Sequence, residues 1–200
     1  MSMQDFDVEN FSIVIFASGN GSNAENIIQY AEKHQCFAVK AVFSNKKNPP
    51  VLQKARNMNI DAFSFERKEF YDSNQIKDQL EEMAPDLIVL AGFMWIFPKF
   101  IIDQFPKRVI NIHPALLPHY GGKGMYGDHV HKAVLSNQEK QSGITIHYVN
   151  ENYDEGQIIA QYKTNIHNQE NIDSLKKKIQ KLEHQYYPQV IHQLINQKNA

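Results

Sequence analysis

Residues 11–17 are apolar except for Ser12, and a Ser-Gly-Asn-Gly turn follows them. Seven residues of this composition are typical of a β-strand that is buried on both faces. Strands of that kind occur in parallel sheets that helices cover on both sides. The run therefore predicts a central strand of an α/β domain.

Strand and helix patterns alternate over the first half of the chain. Residues 24–33 have apolar side chains on one helical face and predict a helix after the first strand. Such an alternation favours a doubly wound fold, in which a mostly parallel sheet has helices on both faces. Further strands are predicted at 39–43, 62–65, 87–91 and 109–112, and further helices at 51–58, 71–83 and 98–104.

The second half departs from this alternation. Residues 143–149 and 157–163 alternate between apolar and polar, and the acidic loop between them predicts an antiparallel edge. Residues 172–195 predict a closing helix in which Pro188 marks a kink or a break. Residues 119–128 contain four glycines and predict a flexible loop or lid.

Length and charge limit the classes of function. Two hundred residues with 42% hydrophobic side chains predict a single domain over 1–200, with 1–10 as a flexible N-terminal segment. A net charge of -1 gives no broad positive field for nucleic acid or for an acidic membrane surface. The chain has no long apolar run and one cysteine, Cys36, so we expect a cytoplasmic protein without a membrane span.

The turn after the first strand is a candidate anion site. Free backbone N–H groups and the helix dipole at such a position favour a small phosphate. The residues between 18 and 23 match neither the dinucleotide fingerprint nor a P-loop. The alternative is a tight turn in which Ser22 or Asn23 caps the helix.

Asn111 and His113 are two residues apart on a predicted strand, so their side chains share a face at its carboxyl end. An amide and an imidazolium there could stabilise an oxyanion and move a proton. Asp154, if it lies beside His113, would favour the charged ring and raise its pKa. Thr145 and His147 share a face that could support Asp154. The alternative is a structural role, in which the asparagine caps a turn and the aspartate faces water.

Two other features are expected to have no chemical role. The spacing of His129 and His131 does not match a helical zinc site, and no cysteine or carboxylate completes a ligand set, so we expect no metal. Lys176, Lys177 and Lys178 lie among apolar residues of the closing helix and predict a solvated face.

Four motifs in order resemble the phosphoribosylglycinamide formyltransferase family over residues 11 to about 187. They are G-N-G-S-N at 19–23, A-G-F-M at 91–94, N-I-H-P-A-L-L-P at 111–118 and G-I-T-I-H-Y-V-N-E-N-Y-D-E-G at 143–156. The resemblance implies a Rossmann-like formyltransferase fold. It also implies formyl transfer from 10-formyltetrahydrofolate to the amine of N1-(5-phosphoribosyl)glycinamide in purine biosynthesis, by a monomer or homodimer with small-molecule substrates and no metal.

The same resemblance assigns roles to residues near the amine substrate. Asn111 and His113 would polarise the formyl carbonyl, and Asp154 would sustain the charge of the histidine. The ribose-phosphate site is implied at Gly21, Ser22 and Asn23. Glu183 matches a glutamate that contacts the glycinamide end.

The folate site is implied by a second group of positions. Trp95 stands where many members have an arginine for the folate tail, and either Arg67 or Lys68 matches another arginine position. The loop at 120–128 is longer and richer in glycine than is usual. Thr145 and His147 match supporting positions. The folate-binding positions are Arg67, Met94, Trp95, Ile96, Phe97, Asn111 and Val149.

Related activities provide alternatives. A methionyl-tRNA formyltransferase is expected to carry a basic C-terminal domain, and a formyltetrahydrofolate hydrolase an additional N-terminal domain. The turn at 18–23, with its preference for phosphate, disfavours a sugar-nucleotide formyltransferase. A binding protein without turnover is a further alternative, although it would not need Asn111, His113 and Asp154.

Overall fold

A computed structural model describes residues 11–197 of the chain, in which seven strands form one sheet. The predicted N-terminal segment 1–10 lies outside the described residues. The strands are β1 Ser12–Phe16, β2 Ala38–Ser44, β3 Asp61–Ser64, β4 Leu87–Leu90, β5 Val109–His113, β6 Gln141–Tyr148 and β7 Ile158–Asn165. The helices are α1 Ser22–His34, α2 Pro50–Asn57, α3 Arg67–Tyr71, α4 Gln75–Met83, α5 Lys99–Gln104, α6 Asp128–Ser136 and α7 Ile172–Gln197.

The strand order is β3-β2-β1-β4-β5-β6-β7. Strands β1 to β5 pair in parallel, whereas β6 and β7 are antiparallel to their neighbours. The predicted doubly wound fold with an antiparallel edge is therefore confirmed. β1 is an interior strand between β2 and β4, although β4 takes the middle position. The chain order reverses between β1 and β4, and ligands of such folds bind at the carboxyl ends of the strands next to this reversal.

Both faces of the sheet are covered, because successive residues of β1 pack into different clusters. Ile13 and Ile15 belong to a core shared with α1, α2, α6 and α7. Val14 and Phe16 belong to the opposite core, which includes Phe70 and residues of α4 and α5. This alternation explains why the strand has apolar residues on both sides.

The helix predicted at 71–83 is present as α4 but begins only at Gln75, and a separate helix, α3, ends at Tyr71. Asp72, Ser73 and Asn74 separate α3 from α4. The Ser73 hydroxyl donates to the carbonyl of Glu69 at 3.0 Å and accepts from the N–H of Gln75 at 3.3 Å. A side chain that takes over backbone hydrogen bonds in this way competes with a continuous helix.

Two further differences concern α6 and α7. Helix α6 was not predicted, although Val130 and Val134 are spaced as one helical face and are buried. Helix α7 continues through Pro188 without a break. Proline cannot donate to the carbonyl four residues earlier, which belongs to His184. The Asn26 side chain donates to that carbonyl at 2.7 Å, so another element supplies the lost bond.

Helix α7 is attached to the sheet near the ends of β4 and β5. The fully buried Tyr187 donates its hydroxyl to the carbonyl of Leu90 at 3.0 Å. This contact places the middle of α7 over the carboxyl ends of the strands. Among residues 11–197, no helix is long and apolar enough to cross a membrane.

Candidate active site

A cavity of about 820 Å³ lies at the carboxyl ends of β4 and β5. Loops after the strands form one wall, and the first turn of α1, the glycine-rich loop and α7 form the others. The predicted residues that line it are Ser22, Asn23, Met94, Trp95, Ile96, Phe97, Asn111, His113, His147, Val149, Asp154 and Glu183. Gly21, Arg67 and Thr145 lie next to lining residues.

His113 is buried at the end of β5, and different groups contact its two ring nitrogens. Nε2 lies 2.7 Å from the carbonyl oxygen of Tyr120. A carbonyl only accepts hydrogen bonds, so Nε2 carries a proton. Nδ1 lies 3.4 Å from Asp154 Oδ2 and is therefore the nitrogen that gains or loses a proton.

Asp154 connects the glycine-rich loop to the strand residues. Its Oδ2 accepts from the backbone N–H of Gly122 at 3.0 Å. Its Oδ1 lies 3.5 Å from Asn111 Nδ2 and 3.6 Å from His147 Nε2. Three of the contacts are longer than an ordinary hydrogen bond, so the carboxylate is enclosed without being tightly held.

Burial and charge act in opposite directions on these groups. Burial lowers the pKa of His113, and the nearby Asp154 carboxylate only partly offsets this effect. The predicted rise in the pKa of His113 is therefore wrong in its net direction. Burial alone would raise the pKa of Asp154, but the contact with His147 and the charge of His113 outweigh it and lower that pKa. Asp154 is thus ionised near neutral pH.

His147 and Thr145 lie on β6, opposite Asn111 and His113 in the antiparallel pair. His147 Nδ1 lies 2.8 Å from the carbonyl of Tyr148, so this nitrogen carries a proton, and Nε2 lies 3.2 Å from Asn111 Nδ2. The same amide nitrogen lies 3.5 Å from Asp154 Oδ1, so Asn111 contacts both His147 and Asp154.

Thr145 is fully buried and organises the chain after β5. Its hydroxyl donates to the carbonyl of Ala115 at 2.7 Å and accepts from the N–H of Leu117 at 3.0 Å. Gln161 donates to the same hydroxyl at 2.9 Å. These bonds fix the path of the segment that leads from His113 to the glycine-rich loop, in which the peptide before Pro118 is cis.

The first turn of α1 opens into the cavity. The N-cap residue is Gly21, at φ 73°, and no side chain caps the helix, so the alternative of a Ser22 or Asn23 cap is wrong. Asn23 instead donates to Glu183 Oε2 at 2.9 Å. Burial raises the pKa of Glu183, and the bond from Asn23 partly offsets this rise. The first turn of α1 therefore keeps backbone N–H groups free for an anion.

An aromatic and apolar wall lies on the other side of the cavity. The N–H of Met94 donates to Ser18 Oγ at 2.9 Å, and Tyr71 donates to the carbonyl of Ile96 at 2.8 Å. The guanidinium carbon of Arg67 lies 4.6 Å from the ring centre of Tyr71 and 5.7 Å from that of Trp95. Arg67 and Lys68 are the two candidates for an arginine position that serves the folate or phosphate region, and Arg67 is the one in contact with this wall.

Several lining residues were not identified from the sequence. They include His131, which is 4% exposed, and residues of α7. Lys176 and Lys177 are exposed, so the predicted solvated face is confirmed for both, and they also line the cavity, whereas Lys178 is less exposed and pairs with Glu170. For Lys176, the spacing before Glu183 was the available signal, since Asp173, Lys176, Gln180 and Glu183 follow one helical stripe. Within the described residues, no group of three or more His, Cys, Asp or Glu side chains could hold a metal.

Comparison with known proteins gives consistent results. Residues 11–191 match the family model described as formyl transferase. Phosphoribosylglycinamide formyltransferase of Escherichia coli K12 is 36% identical over 186 residues, which are 90% of this chain and 85% of that protein. The chloroplastic enzyme of Arabidopsis thaliana is also 36% identical over 90% of this chain, which spans 63% of its length. The crystal structure of phosphoribosylglycinamide formyltransferase from Brucella melitensis has a TM-score of 0.83 at 34% identity and covers 94% of this chain and 96% of its own.

Proposed function

This chain belongs to the formyl transferase family, and we propose that it transfers the formyl group of 10-formyltetrahydrofolate to the amine of N1-(5-phosphoribosyl)glycinamide. One observation carries the proposal: a single cavity joins the Asn111, His113 and Asp154 group to the open first turn of α1. The three side chains could act on a carbonyl, and the first turn of α1 could hold a phosphate. A phosphorylated amine needs both in one site.

The proposed reaction is direct transfer. The amine nitrogen attacks the formyl carbon, and the carbonyl oxygen becomes negative in a tetrahedral intermediate. A hydrogen of Asn111 Nδ2 and a proton on His113 Nδ1 stabilise that oxygen. The bond to folate N10 then breaks, N10 gains a proton, and the attacking nitrogen loses one. No metal takes part in these steps.

In this scheme, Asp154 controls the protonation of the His113 ring. Its carboxylate faces Nδ1 at 3.4 Å and favours the protonated ring, against the effect of burial. The contact of Nε2 with the Tyr120 carbonyl holds the ring so that Nδ1 faces Asp154. The same carboxylate is close enough to take part in the proton movement between the two nitrogens.

The two substrates are assigned to opposite ends of the cavity. Gly21, Ser22, Asn23 and Glu183 would hold the ribonucleotide. The wall of Met94, Trp95, Ile96, Phe97 and Val149 suits a flat pterin ring, and Arg67 would attract the folate carboxylates. We expect these small molecules, rather than nucleic acid or a membrane, to be the partners of a cytoplasmic monomer or homodimer.

Steady-state kinetics with purified variants tests this proposal. Wild-type protein is expected to release tetrahydrofolate from the donor only when the ribonucleotide is present. Asp154→Asn is expected to lower kcat by about 100-fold or more, as the loss of a group that assists proton transfer does. Asp173→Asn is the matched control. It removes a carboxylate that lines the same cavity, and the ion-pair contact of His113 is with Asp154 and not with Asp173.

Two results would count against the proposal. Release of tetrahydrofolate without the ribonucleotide would indicate a hydrolase. Equal rates for Asp154→Asn and Asp173→Asn would show that Asp154 has no special role in the chemistry.

A further inference from the structure

The backbone of residues 120–122 contacts both members of the His113 and Asp154 pair. The carbonyl oxygen of Tyr120 lies 2.7 Å from His113 Nε2, and the N–H of Gly122 donates to Asp154 Oδ2 at 3.0 Å. The direct contact between His113 Nδ1 and Asp154 Oδ2 is 3.4 Å, which is longer than an ordinary hydrogen bond. The relative position of the two side chains therefore depends on where residues 120–122 lie.

Residues 120–122 have a backbone conformation that needs support from other parts of the chain. Tyr120 has φ 59°, in the left-handed region, which is unfavourable for a residue with a bulky side chain. Such a conformation persists only where surrounding contacts maintain it. The next two residues, Gly121 and Gly122, have no side chain that could provide these contacts. The side chain of Tyr120 is therefore the one that can anchor this segment.

The side chain of Tyr120 is bound to the turn between α6 and β6. Its hydroxyl donates to Glu139 Oε1 at 2.6 Å and accepts from Asn137 Nδ2 at 2.9 Å. Its ring packs against the core shared with α1, α6 and α7. The N–H of Asn137 donates to the carbonyl of Ala133 at 3.0 Å, and the N–H of Glu139 donates to the carbonyl of Val134 at 3.3 Å. The hydroxyl is thus attached to a turn that α6 holds in place.

We propose that Tyr120 is a positioning residue for His113, whose hydroxyl, bound to Glu139 and Asn137, keeps the Tyr120 carbonyl against Nε2 and so maintains one orientation and one tautomer of the ring. This inference rests on the proposed function, because it assigns Tyr120 to the formyl transfer in which His113 acts. If the ring turned, Nδ1 would no longer face Asp154, and a small displacement of a reacting group lowers the rate strongly. Tyr120 itself is not among the residues that line the cavity, so its loss should affect kcat rather than substrate binding.

Steady-state kinetics of Tyr120→Phe tests this role, because the substitution removes the hydroxyl and keeps the ring. We expect kcat to fall about 3- to 10-fold, the effect of one net hydrogen bond, while the KM values for both substrates stay nearly unchanged. Tyr30→Phe is the matched control. Tyr30 is also half-buried, its hydroxyl lies 3.3 Å from His192 Nδ1, and neither of these residues lines the cavity.

Variants of Glu139 test the same contact from its other side. Glu139 is exposed, so its substitution does not disturb the core. Glu139→Ala should lower kcat as Tyr120→Phe does, whereas Glu139→Gln keeps an oxygen acceptor and should retain most of the rate. The double variant with Tyr120→Phe and Glu139→Ala should lose little more than either single variant, because both remove one interaction.

NMR of the His113 ring separates positioning from a general loss of structure, because ¹⁵N shifts of the ring nitrogens report the tautomer. The wild type should show a proton on Nε2 that exchanges slowly with water. In Tyr120→Phe this proton should exchange faster, and the ¹⁵N shifts should move towards a mixture of tautomers, while Tyr30→Phe keeps the wild-type spectrum.

Two results would overturn the inference: an unchanged kcat in Tyr120→Phe, or a reduced kcat with the wild-type spectrum of the His113 ring. Absence of formyl transfer by the wild type would instead overturn the proposed function. The ring spectrum would then still show whether the Tyr120 hydroxyl holds His113.

Discussion

At the scale of single residues, the hydrogen-bond partners of His113 give its two nitrogens different tasks. Nε2 is hydrogen-bonded to the Tyr120 carbonyl, and Nδ1 faces Asp154. Burial makes the charged ring unfavourable, so the site depends on Asp154 to keep a useful protonated fraction.

The titration of His113 is the first prediction. We expect its pKa to lie below the ordinary value of 6.5 in the wild type, because burial disfavours the cation. Asp154→Asn should lower this pKa further, since the carboxylate that raises it is lost. The protonated form acts in the proposed mechanism, so kcat/KM should fall as the pH rises through the pKa of His113. Proton NMR of the His113 ring, with its signals assigned from a His113→Asn spectrum, measures both values.

Asp128→Asn serves as the control for this titration, because Asp128 forms its ion pair with Lys176 and not with His113. A pKa of His113 that stays the same or rises in Asp154→Asn would show that the carboxylate does not stabilise the cation.

The sequence indicated Asn111 and His113 as a pair because they are two residues apart on one strand. It could not place Asp154 or Glu183, since their contacts with His113 and Asn23 cross 41 and 160 residues of chain. The family resemblance supplied those positions. Lys176 and Lys177 are exposed as predicted, but helical spacing alone does not show that this side of α7 also lines the cavity.

At the scale of elements, the turn between β1 and α1 depends on one glycine. Gly21 has φ 73°, and a Cβ atom added there would lie 2.2 Å from Val51 Cγ2. The close approach of α2 to the turn therefore leaves no space for a side chain. The turn brings the free N–H groups of α1 to the cavity, so its geometry matters for binding as well as for stability.

Substitution of Gly21 is the second prediction. Gly21→Ala is expected to lower the free energy of unfolding by about 2 to 4 kcal/mol, from left-handed backbone strain and overpacking together. Gly19→Ala is the control, since a Cβ there meets no atom within 4 Å. It should change stability by less than about 0.5 kcal/mol. Urea unfolding of the two variants measures both, and equal losses would contradict the steric argument.

The elements themselves were predicted with few errors where apolar periodicity is strong. Apart from the unpredicted α6, the errors fall where side chains replace backbone partners. Ser73 divides a predicted helix through its hydroxyl, and Asn26 keeps α7 continuous through Pro188 by binding the carbonyl of His184. Contacts of the second kind link distant segments, so local sequence patterns do not reveal them.

At the scale of the whole molecule, the order of the strands creates the site. The reversal at β1 and β4 opens a crevice, β5 and β6 pair so that Asn111 faces His147, and α7 closes over the strand ends through Tyr187. The alternation of strand and helix patterns in the sequence predicted a fold of this class. The assembly of one cavity from six separate segments is a result of tertiary packing.

The fate of the formyl carbon is the decisive observation for this arrangement. The donor carries ¹³C in its formyl group and the ribonucleotide carries ¹⁵N in its amine, and the products are followed by NMR. The proposed direct transfer predicts a one-bond coupling between the two labels in the product, formed in equal amount with tetrahydrofolate. Labelled formate without that coupling, or label that stays on the folate, would contradict it.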